Sequence, residues 1–244
     1  MNRAGSVTAT VLMLLCLGIG STFIVMAQGL DLTLSRYFFS KGGAEGGWAL
    51  GAEQPWKFLY RYGEVPGILL LVGVLVALAG TLLDRVSFTW KKPCLVVVLT
   101  ILLGPGLLVN GILKNGWGRP RPADITAFGG TFQYRDAWPP CISCSGKSFT
   151  CGHCAIGFSM SSGAVLFLHN PLAAWTVVAL GMTYGFLLGF GRLAQGGHFL
   201  TDVIWSFVLV YVVMALVYYF MFRVPNTHKR FFHGNGCWKE GSSE

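Results

Sequence analysis

Residues 203–222 read VIWSFVLVYVVMALVYYFMF, an apolar run that contains no charged side chain. A helix of about 20 apolar residues crosses the hydrocarbon core of a bilayer. The run lacks the strict alternation of polar and apolar residues that is typical of a half-buried strand. The stretch therefore predicts a transmembrane helix.

Five further apolar runs lie upstream, at residues 9–27, 66–83, 94–113, 155–168 and 172–190. The run 155–168 is short and contains Ser159, Ser161 and Ser162, so we expect it to pack against other helices rather than against lipid. Together the six runs predict an all-α fold, a polytopic membrane helix bundle with about six transmembrane helices. Residues 1–222 are expected to form a single transmembrane domain, and residues 223–244 a basic cytoplasmic tail.

The amino-acid composition agrees with a bilayer environment. Apolar residues make up 53% of the chain and charged residues only 11%, whereas a soluble domain carries roughly 25% charged residues. The formal net charge is +8, but the basic residues lie at the ends of apolar runs and in one central group, not on a basic face of a separate domain. We therefore expect the bilayer as a partner, no nucleic acid and no obligatory protein partner.

Positive residues orient the bundle, because cytoplasmic loops of membrane proteins are enriched in lysine and arginine. With the N-terminus inside, the cytoplasmic segments hold Arg3, then Arg85, Lys91 and Lys92, then the basic tail. This bias becomes clear once the central basic group is set aside as functional. The first run could be a signal peptide, but its length and its poor cleavage site favour an uncleaved first span.

The first outer loop, residues 31–65, is rich in aromatic residues: Trp48, Trp56, Phe58, Tyr60 and Tyr62. Aromatic side chains beside a bilayer are typical of segments that lie at the membrane surface. We predict an interfacial segment here, with an ordinary ordered loop as the alternative.

Three polar segments interrupt the apolar pattern, and charges beside membrane spans are costly enough to indicate function. The first, residues 114–122, reads KNGWGRPRP and holds Lys114, Arg119 and Arg121. These cations predict an anion site, and the following prolines force both arginines into extended conformations. A solvated basic turn is the alternative interpretation.

The second segment, residues 148–153, reads SFTCGH. At a helix start it offers backbone N–H groups to an anion, and His153 can exchange a proton. The third, residues 191–202, contains Arg192 and ends in His198 and Asp202. At this spacing the last two share one helix face, so the carboxylate can orient the imidazole. A capping histidine and a stabilising polar pair are the respective alternatives.

All three segments fall at the same membrane face in the assigned orientation. Their inventory of cations, two histidines and one aspartate suits phosphoryl transfer, in which positive groups stabilise the charge on the phosphoryl oxygens. One histidine would attack phosphorus and the other would protonate the leaving oxygen. The segments contain no carboxylate pair or metal cage, so we expect neither a metal nor another cofactor.

These segments resemble the type 2 phosphatidic acid phosphatase (PAP2) superfamily. Its motifs are Lys, six residues, Arg-Pro; then Pro-Ser-Gly-His; then Ser-Arg, five residues, His, three residues, Asp. Lys114 with Arg121 matches the first, Gly152 with His153 the end of the second, and 192–202 the third. The resemblance covers a motif core at 114–202 and includes the six-span layout.

The resemblance implies that His198 is the phosphohistidine nucleophile and Asp202 its orienting partner. It implies that His153 is the general acid. The implied phosphate-binding residues are Lys114, Arg121, Arg192, Cys151 and Gly152, with Arg119 outside the strict pattern as a second-rank candidate.

This chain departs from the family pattern at the second motif, where Thr150-Cys151 replaces Pro-Ser, and at the third, where Gly191 replaces serine. A thiol is a weaker hydrogen-bond donor than a hydroxyl, so we expect one weakened phosphate contact and reduced or retuned activity.

Four cysteines, Cys141, Cys144, Cys151 and Cys154, form two C-x-x-C pairs. This spacing is typical of zinc sites, but a metal would engage the segment that carries His153, and disulfides are permitted outside the cytoplasm. A disulfide involving some of them, free thiols and a metal site all stay open, with the disulfide favoured.

The Arg-Pro-Arg-Pro sequence with the later Phe128-Gly-Gly, and Gly-Gly-His-Phe around His198, look like the bacterial lipid A phosphatase branch of the superfamily. That resemblance implies an enzyme of the bacterial inner membrane whose site faces the periplasm and whose substrate is a phosphorylated lipid, lipid A. Undecaprenyl pyrophosphate or phosphatidylglycerol phosphate are the alternative substrates. A lipid phosphotransferase, an anion or lipid transporter and a redox- or metal-sensing protein are the alternative functions.

Overall fold

The computed structural model describes residues 3–40, 46–83, 85 and 87–222, so the predicted cytoplasmic tail lies outside the described residues. The regular structure of these residues is helical. The helices are α1 (Arg3–Ala27), α2 (Leu30–Ser40), α3 (Ala49–Ala52), α4 (Trp56–Tyr62), α5 (Val65–Leu82), α6 (Lys91–Ile101), α7 (Lys114–Gly116), α8 (Gly152–Ser159), α9 (Pro171–Ala194) and α10 (Leu200–Phe222). A π-helical stretch, Leu102–Leu113, joins α6 to α7, and a 3₁₀ stretch, Met160–Phe167, continues α8.

Five helical stretches of the described chain are long and apolar enough to cross a bilayer: Gly5–Ala27, Trp56–Leu82, Lys91–Gly116, Pro171–Ala194 and Leu200–Phe222. The remaining apolar run forms a shorter helix, Gly152–Phe167. The predicted fold class, an all-α membrane helix bundle, is confirmed. The expected count of about six corresponds to five full-length helices and one shorter helix.

The helix that leads into the first polar segment contains the π-helical stretch. Pro105 lies inside that stretch, and a proline removes a backbone donor and crowds the preceding turn. Wider turns of this kind are frequent near functional sites. Asn110 Nδ2 donates to the carbonyl of Pro105 at 2.9 Å, so the widened turn fixes the side chain of Asn110.

The short helix α8 and its 3₁₀ continuation pack against α9, α10 and α6. Ser159, Ser161 and Ser162 are fully buried, which confirms that this run packs against other helices. Glycine permits the close approach: a Cβ added at Gly157 would lie 2.7 Å from Gly185 Cα. Small residues at such contacts are a general feature of membrane helix packing.

α1 packs along α10. Trp205 Nε1 donates to Thr22 Oγ1 at 2.8 Å, and a Cβ added at Gly18 would lie 3.2 Å from Val208. The first apolar run is therefore part of the folded bundle, which agrees with an uncleaved first span. Cleavage itself stays untested.

The first outer loop folds into α2, α3 and α4, and each of these packs against α9. Phe58, Tyr60 and Tyr62 are about half exposed. The interfacial position predicted for this segment stays a prediction. What the structure adds is that the loop covers the end of α9 from which the third polar segment emerges.

Candidate active site

The polar end of the bundle brings the three predicted segments together. The first begins with α7, the second leads directly into α8, and the third joins α9 to α10. Five buried side-chain polar atoms among the described residues lack a hydrogen-bond partner, and four lie in this region: Arg121 Nε, Thr150 Oγ1, Arg192 Nε and His198 Nδ1. Buried polar atoms are normally paired. His198 Nδ1 faces Asp202, so the unpaired atoms of Arg121, Thr150 and Arg192 are the ones that indicate where an anion fits.

His198 is buried, with 2% of its surface exposed. Its Nδ1 lies 3.5 Å from Asp202 Oδ2, which is longer than a well-formed hydrogen bond. Burial lowers the pKa of His198 to about 4, although the neighbouring carboxylate of Asp202 opposes this shift. The imidazole is therefore neutral at physiological pH, and a ring nitrogen keeps the lone pair that a nucleophile requires.

Asp202 is held more firmly by other groups than by His198. Its Oδ2 accepts hydrogen bonds from Ser148 Oγ at 2.5 Å and from the backbone N–H of Phe199 at 2.9 Å. Its Oδ1 accepts from Arg119 Nη1 at 2.6 Å. These contacts fix the carboxylate beside the imidazole, so the second polar segment, through Ser148, helps to position the third.

Arg119 is buried, with 1% of its surface exposed, and its guanidinium lies between two carboxylates. Nη1 contacts Asp202 Oδ1 at 2.6 Å, and Nη2 contacts Asp31 Oδ2 at 2.7 Å. Burial alone would lower the pKa of Arg119, but the charges of Asp202 and Asp31 outweigh it and raise that pKa. Nε donates to the carbonyl of Arg135. These contacts indicate a positioning role, which differs from the second-rank phosphate ligand expected from the sequence.

Asp31 and Thr201 complete this buried network, and sequence reasoning missed both. Asp31 Oδ1 accepts from the backbone N–H of Thr201 at 3.0 Å, and its Oδ2 accepts from Thr201 Oγ1 at 2.7 Å. A carboxylate placed just after the first membrane span was the available signal. The network ties α2 to the start of α10.

Arg192 folds back toward the turn that carries His198. Its Nη1 donates to Gln195 Oε1 at 2.6 Å, and Gln195 Nε2 donates to the carbonyls of Gly51 and Trp56. Gly196 adopts a left-handed conformation with φ 64°, which glycine tolerates without strain. The Arg192 guanidinium lies against Gly197 of this turn, and Gln195 anchors the turn to the first loop.

Arg121 and Lys114 are the other two cations beside Arg192 at this site. Arg121 has extended backbone angles, φ −77° and ψ 159°, as predicted from the proline that follows it. Lys114 Nζ lies 3.5 Å from Asn110 Oδ1, and the charges of Arg121 and Arg192 act on it. The same two arginines act on His198. The three cations and the buried imidazole therefore lie close enough to act on one another electrostatically.

Gly152 begins α8 at the point where Asn110 approaches it. A Cβ at this position would lie 2.6 Å from Asn110 Oδ1, so the site accepts only glycine without displacement of Asn110. Gly152 is itself buried. Its N–H belongs to the first turn of α8, whose amides and helix dipole favour an anion.

His153 is partly exposed and contacts α4 and the residue before α5. Nδ1 lies 3.3 Å from Glu64 Oε1, and Nε2 lies 3.2 Å from the carbonyl oxygen of Tyr60. The ring of Tyr60 stacks on the imidazole, with centroids 5.4 Å apart. Neither Glu64 nor Tyr60 was expected at the site, because sequence spacing does not show which loop residues reach a motif.

The four cysteines pair within each C-x-x-C sequence, Cys141 with Cys144 and Cys151 with Cys154. Cys151 Sγ also accepts a hydrogen bond from the N–H of Cys154 as the N-cap of α8. A sulfur in a disulfide has no S–H to donate, so the expected thiol contact to phosphate is absent in this state. Among the described residues, no group of three or more His, Cys, Asp or Glu side chains could hold a metal ion.

A polytopic helix bundle with a cationic cluster around a buried histidine at one end defines a membrane protein built to hold an anionic group. Residues 93–225 match the sequence model of the PAP2 superfamily. The match spans more than half of the chain, and the chain belongs to this superfamily. The resemblance drawn from the three motifs is confirmed.

Curated relatives support a narrower likeness. A lipid A 4′-phosphatase of Francisella tularensis subsp. novicida is 29% identical over 208 residues, covering 82% of this chain and 90% of the relative. A lipid A 4′-phosphatase of Rhizobium leguminosarum is 36% identical over 121 residues, covering 48% of this chain and 49% of the relative. Both similarities are to proteins of the branch expected from the sequence.

One solved structure shares the fold. The crystal structure of a transmembrane PAP2-type phosphatidylglycerolphosphate phosphatase from Bacillus subtilis aligns with a TM-score of 0.53 and 21% sequence identity. The alignment covers 93% of this chain and all of that one. At this identity the likeness bears on the fold alone.

Proposed function

We propose that this chain is an integral membrane phosphatase that removes a phosphate from lipid A through a phosphohistidine on His198. The observation that carries the proposal is the buried neutral His198, surrounded by unpaired polar atoms of Arg121, Thr150 and Arg192. A cationic site with a neutral imidazole suits phosphoryl transfer. Family membership and the names of the relatives support the phosphatase class.

In the proposed reaction, Lys114, Arg121 and Arg192 hold the phosphoryl oxygens, and the N–H of Gly152 adds a hydrogen bond. Their charges stabilise the negative charge that the transition state spreads over these oxygens. His198 attacks phosphorus through Nε2, since Nδ1 faces Asp202. His153 then protonates the departing oxygen.

Arg119 and Cys151 have revised roles in this proposal. Arg119 positions Asp202 from a buried site instead of binding phosphate. Cys151 caps α8, so the backbone amides at this helix start, and not the sulfur, face the anion.

Two features support an amphiphilic substrate. The bundle has several membrane-crossing helices, so the site is supplied from the bilayer. An apolar cavity of about 370 Å³ lies beside the second polar segment, with Phe23, Trp117, Phe149 and Trp205 among its lining residues. The names of both relatives favour the 4′-phosphate of lipid A.

The positive-residue bias and the relatives also support a location in the bacterial inner membrane with the site facing the periplasm. In that arrangement residues 1–222 act as one domain, and the site meets lipid in the outer leaflet of that membrane. Undecaprenyl pyrophosphate and phosphatidylglycerol phosphate stay as competing substrates to be tested in the same assay.

The testing experiment measures phosphate release by the purified full chain from lipid A, undecaprenyl pyrophosphate and phosphatidylglycerol phosphate. His198→Ala is the test variant, and His169→Ala, at an exposed histidine between α8 and α9, is its matched control. We expect release from lipid A by the wild type and the control, and none by His198→Ala. Full activity of His198→Ala, or no release from any lipid by the folded wild type, would overturn the proposal.

A second readout separates hydrolysis from phosphotransfer. Mass spectrometry of the lipid products distinguishes free phosphate from a newly phosphorylated acceptor lipid. A transporter that only binds the anion would bind and move lipid in His198→Ala as well as in the wild type.

A further inference from the structure

His153 is held from two sides by groups that lie outside the three polar segments. Glu64 precedes α5 and contacts Nδ1 at 3.3 Å, while the carbonyl oxygen of Tyr60 in α4 contacts Nε2 at 3.2 Å. A carboxylate and a carbonyl oxygen are hydrogen-bond acceptors only. Both contacts are satisfied together when each ring nitrogen carries a proton, so these two acceptors favour the imidazolium form.

The other charges near His153 oppose that form. Lys114 at the end of the membrane helix and Arg192 in α9 both act on the imidazole as like charges, and burial acts in the same direction. Glu64 is the carboxylate among the groups that act on it. Burial is the largest of these effects, and together with the two cations it outweighs Glu64, so the pKa of His153 lies below its usual value. Without the carboxylate of Glu64 that pKa would lie lower still.

The aromatic ring of Tyr60 links the same two residues. It stacks on His153 at an interplanar angle of 18°, and the Arg192 guanidinium lies over the same ring, 4.6 Å from its centroid. The ring thus contacts both the imidazole and the guanidinium. Such an arrangement fixes the plane of the His153 ring. The face of the Tyr60 ring also attracts the Arg192 guanidinium and, when it is protonated, the His153 imidazolium.

We propose that Glu64 is the positioning residue that raises the protonated fraction of His153 and orients it as the general acid, while the carbonyl of Tyr60 occupies the acceptor position that the leaving oxygen of the substrate takes. This proposal rests on the proposed function for its catalytic meaning. The contact itself is independent of which lipid is the substrate.

The proton and electron pairs balance over two steps. When His198 Nε2 forms its bond to phosphorus, the P–O bond to the lipid breaks and its electron pair stays on the lipid oxygen, which takes the proton from His153 Nε2. His153 is then neutral, with Nδ1–H still facing Glu64. Water next attacks phosphorus, the P–N pair returns to His198, and the water proton passes to His153 Nε2.

The first test measures the protonation of His153 directly. The full chain is labelled with ¹⁵N-histidine and titrated by NMR, with the His153 signal assigned from a His153→Asn sample. In Glu64→Gln the titration midpoint of His153 is expected to move to lower pH by about 0.5–1 unit, a modest shift because the pair is partly exposed to solvent. Glu53→Gln, an exposed glutamate of the same loop, is the matched control and should leave the midpoint unchanged.

The second test measures the catalytic consequence. Loss of the protonated acid limits kcat/KM at high pH, so in Glu64→Gln this alkaline limb should move to lower pH and kcat/KM above it should fall about three- to tenfold. Glu64→Asp, which keeps the charge, should recover most of the difference. A residue that merely supports the fold would lower kcat/KM at all pH values and leave the limb in place.

The outcomes separate the two proposals. An unchanged midpoint in folded Glu64→Gln, or in folded Glu64→Ala if Glu64→Gln does not fold, overturns the role of Glu64. A shifted midpoint in a protein whose wild type releases phosphate from no lipid supports the contact and instead overturns the proposed function.

Discussion

Replacement of Arg119 by methionine is the sharpest test of how the site is built. Arg119 contacts Asp31 at 2.7 Å and Asp202 at 2.6 Å, and all three side chains are at least 98% buried. Removal of one member of a buried ion pair costs about 3–5 kcal/mol, because it leaves an uncompensated charge in a site without water. Methionine fills a similar volume, so the loss of charge and not a cavity dominates.

Both carboxylates keep other partners, which sets the size of the effect. Asp202 retains Ser148 and the N–H of Phe199, and Asp31 retains both groups of Thr201. We therefore expect the single-pair cost of about 3–5 kcal/mol rather than twice that value. For a chain of this size, such a loss corresponds to a decrease in Tm of about 6–20 °C.

The assay is thermal unfolding of the purified protein in detergent, with Arg61→Met in α4 as the control, because Arg61 is exposed. In Asp31→Asn with Arg119→Met, one of the two unpaired carboxylates is neutralised, so part of the loss should be recovered. A decrease in Tm no larger than that of Arg61→Met, or a full loss of phosphate affinity with unchanged stability, would refute the buried positioning role.

Three further outcomes follow from the site. Because burial lowers the pKa of His198 to about 4, the neutral nucleophile is present above that value, so a pH–rate profile should show no loss from His198 until the pH falls toward 4. An acid limb that coincides with a His198 titration near its usual pKa, measured by ¹⁵N NMR of the wild type, would contradict this. Gly152→Ala should lower kcat/KM about tenfold, because its Cβ would meet Asn110 Oδ1 at 2.6 Å and displace the Asn110 side chain that contacts Lys114. Lipid kinetics beside Gly20→Ala, where a Cβ meets nothing within 4 Å, provide the comparison. When the denatured protein is alkylated and its peptides are analysed by mass spectrometry, both C-x-x-C pairs should be unmodified unless a reductant is added first. Labelling of Cys151 without reductant would show a free thiol and contradict the disulfide.

The membrane helices could be predicted because the bilayer imposes both their length and their composition. The run 94–113, for example, lies inside the observed span Lys91–Gly116. Hydropathy marks the part of a helix in contact with the hydrocarbon or the core, and the polar turns at either end continue the same helix. The π-helical stretch was not predictable, because it depends on how Pro105 and Asn110 interact in three dimensions.

The candidate site could be predicted in part. Lys114, Arg121 and the residues near His198 follow a fixed spacing, and spacing along one chain segment is visible in a sequence. Asp31 and Glu64 follow no such spacing, because each reaches the site from the first loop across a large sequence separation. Sequence alone also does not separate the phosphate-binding role of Arg121 from the positioning role of Arg119, because both precede a proline in the same segment. Only their tertiary contacts differ.

The partners of Asp31 and Glu64 limit how far the catalytic segment can be transferred between members of the superfamily. The segment that matches the superfamily begins at residue 93, yet Arg119 and His153 each have a charged partner upstream of it. A chimera that grafts 93–222 onto the N-terminal half of another member would carry the complete motif set. It would nevertheless lack the Asp31 acceptor of Arg119 and the counter-charge for His153 unless the donor half supplied carboxylates at the same two points. Interchangeable halves are therefore expected only between chains that match at Asp31 and Glu64, a criterion that the motifs themselves do not contain.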